Sequence, residues 1–180
     1  MVRMPGVLER KRPQRLVLRF AMAFVALVLA FSACVQIDYV VFDSAATSAI
    51  SRVAAAAIVG LMSLAGAVVE RSGQVIIYHA ASFEILSDCT GIEVMGLFAA
   101  AVIAFPCRWR PRLTVLGFGL PILLVLNVVR MISLIYVGAH WPMALSYGHL
   151  YVWPVVLLTV ALGIWLQWAL RVTNDLRVVP

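Results

Sequence analysis

Charge is scarce in this chain. Only 12% of its 180 residues are charged, 64% are hydrophobic, and lysine occurs once, at Lys11. A soluble domain needs a charged surface, so this composition excludes that class and points to a multi-span membrane protein. Cysteine is scarce too: Cys34, Cys89 and Cys107 stand far apart, with no Cys-x-x-Cys pair and no Cys/His ligand spacing. That excludes a zinc site and a disulfide framework, and no metal or cofactor is expected. The net charge of +6 comes almost wholly from arginine. The arginines cluster in three places, so they read as topology signals and not as a nucleic-acid footprint. There is no internal repeat and no low-complexity tract.

What the chain does have is apolar runs. Arg10-Lys11-Arg12-Pro13-Gln14-Arg15 precedes a run from Leu16 to Ile37, which at about 20 residues is long enough to cross a bilayer. A basic flank before an apolar run also resembles a signal peptide. Phe31-Ser32-Ala33-Cys34 approaches a lipoprotein processing box, but Phe stands where an aliphatic residue is usual. The expectation is an uncleaved first span with Cys34 packed inside it. Three further runs are clear: Gly91 to Pro106, Leu113 to Val137 with Pro121 as a kink point, and His149 to Leu170. Trp141, Tyr147, Tyr151 and Trp153 gather near one end of the last two, as an interfacial aromatic belt would. Ser44 to Val69 is ambiguous, being Ala-rich and carrying Arg52. Glu70-Arg71-Ser72-Gly73 reads as a turn, and Gln74–Tyr78 with Ser82–Leu86 as a short β-hairpin.

Charge decides between topologies. If Ser44 to Val69 does not cross, the N-terminal cluster, the Arg108-Arg110-Arg112 loop and the Arg171/Arg177 tail share one side. The positive-inside rule makes that side cytoplasmic. Asp38, Asp43, Glu70, Glu84 and Asp88 then fall outside. The expected fold is an all-α integral membrane protein, a single domain over 1–180. It has about four transmembrane helices, an outer surface or re-entrant helix over 44–69, and the short hairpin.

The chemistry-bearing stretch is Ser87-Asp88-Cys89-Thr90-Gly91-Ile92-Glu93. Thr90 and Glu93 have capping-box spacing, and Asp88 is the alternative cap. Either way Cys89 falls at a helix N-terminus, where the dipole favours the nucleophilic thiolate. Arg130 lies inside an apolar span, about 10 Å below its outer end at 1.5 Å per residue. Placing arginine there costs about 2.5–3.5 kcal/mol on insertion scales and usually marks function. Asn127 and Ser133 share its helix face. Pairing with Glu93 or Asp88 to staple helices is the alternative role. His149 stands at the outer start of the last span and can act as acid or base near neutral pH. His140 and His79, on the same side, are weaker rivals. Cys107 abuts the cytoplasmic arginines and reads as inert or as a lipidation site. A thiol, an imidazole and a guanidinium at one membrane face point to Cys/His nucleophilic catalysis.

Asp88-Cys89-Thr90-Gly91-Ile92, then Asn127-Val128-Val129-Arg130, then Gly148-His149 resemble the ordered Cys, Arg and His motifs of the exosortase/archaeosortase family. The small size looks most like exosortase H, and the resemblance covers roughly Gly73 to Leu170. It implies a membrane-embedded cysteine transpeptidase or protease of the bacterial inner membrane. The implied partners are membrane-anchored proteins with a C-terminal sorting signal: a short motif, an apolar helix and a basic tail. By resemblance Cys89 is the nucleophile, His149 the general base and acid, and Arg130 the transition-state stabiliser. Spacing adds Asn127, Glu93 and Thr90 as supports. A non-catalytic subunit of an exopolysaccharide or secretion assembly would need neither a reactive Cys89 nor a buried Arg130. A thiol-redox protein would present paired cysteines.

Overall fold

The computed structural model describes residues 11–41, 44–79, 81–86 and 89–178. The chain runs α1 (Lys11–Val41), α2 (Ala45–Leu64), three short strands, α3 (Ile92–Ala104), α4 (Trp109–His140), α5 (Pro142–Tyr147), a π-helical turn (Gly148–Val152) and α6 (Trp153–Val178). It is an all-α membrane fold carrying one small sheet. Asp43, Ser87 and Asp88, named from the sequence, lie outside the described residues.

Among the described residues, four helical stretches are long and apolar enough to cross a membrane: Arg15–Asp38, Ala45–Leu64, Trp109–His140 and Pro142–Asn174. The sequence reading counted α3 and set α2 aside. At 13 residues, α3 rises only about 20 Å, against a hydrocarbon core of about 30 Å. It is nevertheless enclosed by the bundle, touching α1, α4 and α6. α3 and α4 run antiparallel in a fixed register. A Cβ built on Gly91 would strike Asn127, and one built on Gly119 would meet the Phe98 ring at 2.6 Å. Lower down, Val102 and Val115 share the core, both with no solvent exposure.

Two apolar cores result. The bundle core joins Phe98, Val102, Val115, Leu123, Ala161, Trp168 and Ala169. Its lower end is tied by Trp168 Nε1–H donating to the Pro111 carbonyl at 3.1 Å, and by Arg112 donating to the Phe105 carbonyl at 2.7 Å. The second core lies beside the C-terminal end of α4. There Ala55, Ile58 and Met62 of α2 meet Ile76, Ile85 and a single stretch of α4, Met131 to Ile135. α2 is anchored by its neighbour. Ser44 takes a left-handed φ of 59° and its side chain gives no cap. Instead the Asp38 carboxylate of α1 accepts the N–H groups of Ala46 and Thr47, both at 3.1 Å. These are donors left orphaned at a helix start, and the negative charge suits the dipole.

The sheet corrects the expected hairpin. It is a three-stranded antiparallel meander of β1 (Val69–Ser72), β2 (Val75–Tyr78) and β3 (Ala81–Glu84) in order β1-β2-β3. Glu70, Arg71 and Ser72, read as a turn, pair with Ile77, Ile76 and Val75. The chain reverses at Gly73, whose φ of +63° only glycine adopts readily. Short polar strands hide the alternation that would have revealed β1. Phe83 lies over Gly138 of α4, where an added Cβ would meet its ring at 2.5 Å. The sheet and α2 thus form a cap over one end of α4.

Two further expectations change. Cys34 is exposed on α1 and not packed within the bundle. His149 does not begin a helix. The helical stretch starts at Pro142 and continues through the π-helical turn that holds His149. The cause is Pro154: it lacks the N–H that would bond Leu150, and its ring crowds that carbonyl. The chain widens by one residue, and the Trp153 N–H bonds Gly148 O, five residues back.

Candidate active site

The site assembles where α4 passes from the bundle into the cap. α3 begins at Ile92 with Gly91 as its N-cap, at φ +73°. This corrects the expected capping box: Thr90 precedes the cap, and Glu93 is the second helical residue. Ahead of it, the Cys89 N–H donates to the Leu86 carbonyl at 3.0 Å. Cys89 is half-buried and packs against the cap core. Thr90 is 5% exposed.

Facing this turn, α4 presents two buried polar residues, Asn127 and Arg130, at 1% and 6% exposure. The Asn127 amide is bonded on both sides. Its Nδ2–H donates to the Cys89 carbonyl at 3.1 Å, and its Oδ1 accepts from Arg130 Nη1 at 3.3 Å. Ser133 Oγ donates back to the Arg130 carbonyl at 2.7 Å. Arg130 lies near enough to Cys89 for their charges to interact. Its buried Nε–H has no acceptor among the described residues. No carboxylate pairs with Arg130 among the described residues. Glu93, one of the proposed staples, is exposed.

Cys89, Asn127 and Arg130 are therefore brought together, with Thr90 beside them in the turn. Glu93 is not. It lines a cavity of about 500 Å³ between α1, α3 and α6, with Ser32, Gln36, Phe31 and Pro154. His149 is half-buried in the π-helical turn. Adjacent Gly148 abuts Leu134, one turn of α4 beyond Arg130. His140 and His79 form a separate group at the tip of the cap, with ring centroids 5.6 Å apart. His140 stacks on Tyr136 at 4.3 Å, and its Nδ1 bonds the Tyr136 carbonyl at 2.9 Å. Cys107 is partly buried against the bundle core. Among the described residues no group of three His, Cys, Asp or Glu could hold a metal ion.

The sequence reading missed the part played by Gly91. A Cβ there would stand 2.7 Å from Asn127 Cγ and 2.8 Å from its Oδ1. A glycine just before a long apolar run was the available signal.

The fold and this site define a multi-pass, all-α membrane protein with a thiol and a guanidinium converging beside a helix N-terminus. The chain belongs to the transmembrane exosortase family, whose family model matches residues 12–166. That match bears out the resemblance carried by the Cys, Arg and His motifs and is consistent with a likeness to exosortase H. Comparison with curated proteins and with solved structures gave no match.

Proposed function

We propose that the chain is a cysteine transpeptidase or protease that cleaves proteins bearing a C-terminal sorting signal, through a thioester on Cys89. The observation that carries this reading is the Asn127 bridge. It holds a cysteine in the turn before α3 and a buried arginine on α4 in one contiguous polar group. A structural cysteine and a snorkelling arginine would have no need of it.

In the proposed reaction His149 takes the Cys89 proton, and the thiolate attacks the scissile carbonyl carbon. The oxyanion that forms accepts hydrogen bonds from the Arg130 guanidinium. The carbon–nitrogen bond then breaks, and the leaving amine takes the proton from His149. Water or an amine acceptor next attacks the thioester and frees Cys89. The α3 N-terminus, two residues beyond Cys89, favours the thiolate before attack.

Geometry supports a site at the outer membrane face. If the Arg108, Arg110 and Arg112 cluster marks the cytoplasmic boundary, Arg130 stands 21 residues up α4, about 32 Å along the axis. That is the thickness of the hydrocarbon core. The ten residues of α4 beyond Arg130 then project outward beneath the cap, a longer extension than the sequence reading allowed. The buried apolar residues of α2 cluster with Met131 and Ile135, above this level, which supports its placement at the outer surface with both termini cytoplasmic. Single cysteines at Ser72 and Trp109 are expected to label from opposite sides of sealed vesicles. Labelling of both from one side would remove this topology.

The decisive test is a trap. Wild-type protein mixed with a tagged, membrane-anchored substrate is expected to form a hydroxylamine-sensitive adduct on Cys89. Cys89→Ser is expected to form none while accumulating in the membrane to the same level. Normal processing by Cys89→Ser would falsify the enzyme reading.

A further inference from the structure

We infer that Asn127 is the positioning residue that sets Cys89 against Arg130, and that Gly91 is glycine so that this amide can occupy its place. The inference rests on the reading of Cys89 as the nucleophile.

The Cys89 carbonyl needs a donor and Arg130 Nη1 needs an acceptor. One Asn127 side chain supplies both, at 3.1 and 3.3 Å. A carboxamide offers donor and acceptor from one short planar group at any pH the protein meets. The orientation of the amide follows, because reversing it would set acceptor against acceptor and donor against donor. At 1% exposure the amide has no recourse to water, so each lost bond leaves a buried polar group unsatisfied.

Gly91 bounds the site from the other side. A Cβ there would come within 2.7–3.0 Å of three atoms of the Asn127 amide, closer than real Cβ atoms approach. The φ of +73° at Gly91 adds a second demand for glycine. The Cys-Thr-Gly turn and the Asn-x-x-Arg helix therefore fit as a matched pair across the α3–α4 interface.

This arrangement has a chemical consequence. The turn that carries Cys89 is tied through the Asn127 amide to the same turn of α4 that carries Arg130. Nη1 of Arg130 is held by Asn127, while its buried Nε–H has no acceptor among the described residues.

The test uses full-length protein in membranes with Cys34→Ala and Cys107→Ala, so that Cys89 alone is alkylated. Two quantities are read: the pH profile of iodoacetamide alkylation, and cleavage of a tagged substrate. Asn127→Ala is expected to move the alkylation midpoint up by about one pH unit, because a displaced guanidinium no longer favours the thiolate. The limiting rate at high pH is expected to stay within about twofold, and cleavage to fall at least about tenfold. Asn127→Ser, which keeps a hydroxyl in the buried space but cannot span both partners, guards against an alanine variant that does not fold. Gly91→Ala, with Asn127 intact, is expected to shift the midpoint in the same direction. Val129→Ala, on the exposed face of the same helix turn, is expected to change neither quantity. An unmoved midpoint in the Asn127 and Gly91 variants, whether or not cleavage falls, would overturn the positioning role. Cleavage by Cys89→Ser would instead overturn the nucleophile reading beneath it.

Discussion

One face of α4 serves two cores of different character. Its buried stripe runs Val115, Gly119, Leu123, Asn127, Arg130, Met131, Ile135 and Gly138. Below Asn127 the stripe meets the bundle, where it packs into the apolar core and Phe98 seats on Gly119. Above Arg130 it meets the cap, where Met131 and Ile135 pack on α2 and the sheet. The buried polar residues Ser51, Thr90, Asn127 and Arg130 all belong to the cap, to the turn before α3, or to the turn of α4 between the cores. Polar groups inside a membrane protein are expensive and tend to mark function. Three of the four, Thr90, Asn127 and Arg130, lie at the seam between the two cores, where the proposed site sits.

The sharpest way to break this comparison is to remove the thiol. Cys89→Ser is expected to lose all detectable processing, whereas Cys34→Ala, on the exposed face of α1, and Cys107→Ala, at the far end of the bundle, should process normally. Loss in either of the latter two would move function out of the seam.

Next in size is Arg130→Lys, with cleavage expected to fall about 10²–10³-fold, the usual cost of losing an oxyanion donor. Lysine keeps the charge but cannot bond Asn127 and an oxyanion through two edges of one plane. Near-normal single-turnover rates in this variant would reduce Arg130 to a simple charge.

The histidines come third. His149→Ala should slow acylation about 10²-fold, while His140→Ala and His79→Ala, grouped at the tip of the cap, should lose much less. The reverse order, measured at matched protein levels, would assign the base to the cap.

Smallest for chemistry, though not for folding, is Phe98→Ala. Emptying its seat on Gly119 should cost about 3–5 kcal/mol of stability, read as a lower melting temperature in detergent. Activity per folded molecule should stay within a few-fold of wild type. A large catalytic loss at full stability would show that the bundle core takes part in the chemistry directly.

The apolar runs and the ordered Cys, Arg and His motifs were legible because apolar length and local spacing are one-dimensional signals. β1 was not, since Glu70, Arg71 and Ser72 carry no alternation and become a strand only by pairing with β2. The start of α3 was misread for a related reason: Thr90 and Glu93 have the right spacing, but the left-handed Gly91 moves the cap one residue on. The neighbours of Glu93 could not be read at all, because spacing along α3 does not say whether a residue faces α4 or the cavity beside α1.

By itself, then, the sequence determined a membrane protein, its apolar runs, and a cysteine placed just before a helix. Hydrophobic length and arginine clustering act residue by residue and need no partner. Only the tertiary structure decided that Asn127 spans Cys89 and Arg130, that Gly91 makes room for it, and that α2 and the sheet cap that end of α4. The first two depend on the antiparallel register of α3 against α4 and the third on the packing of α2 and the sheet on α4; each is a property of packed surfaces that no one element encodes alone.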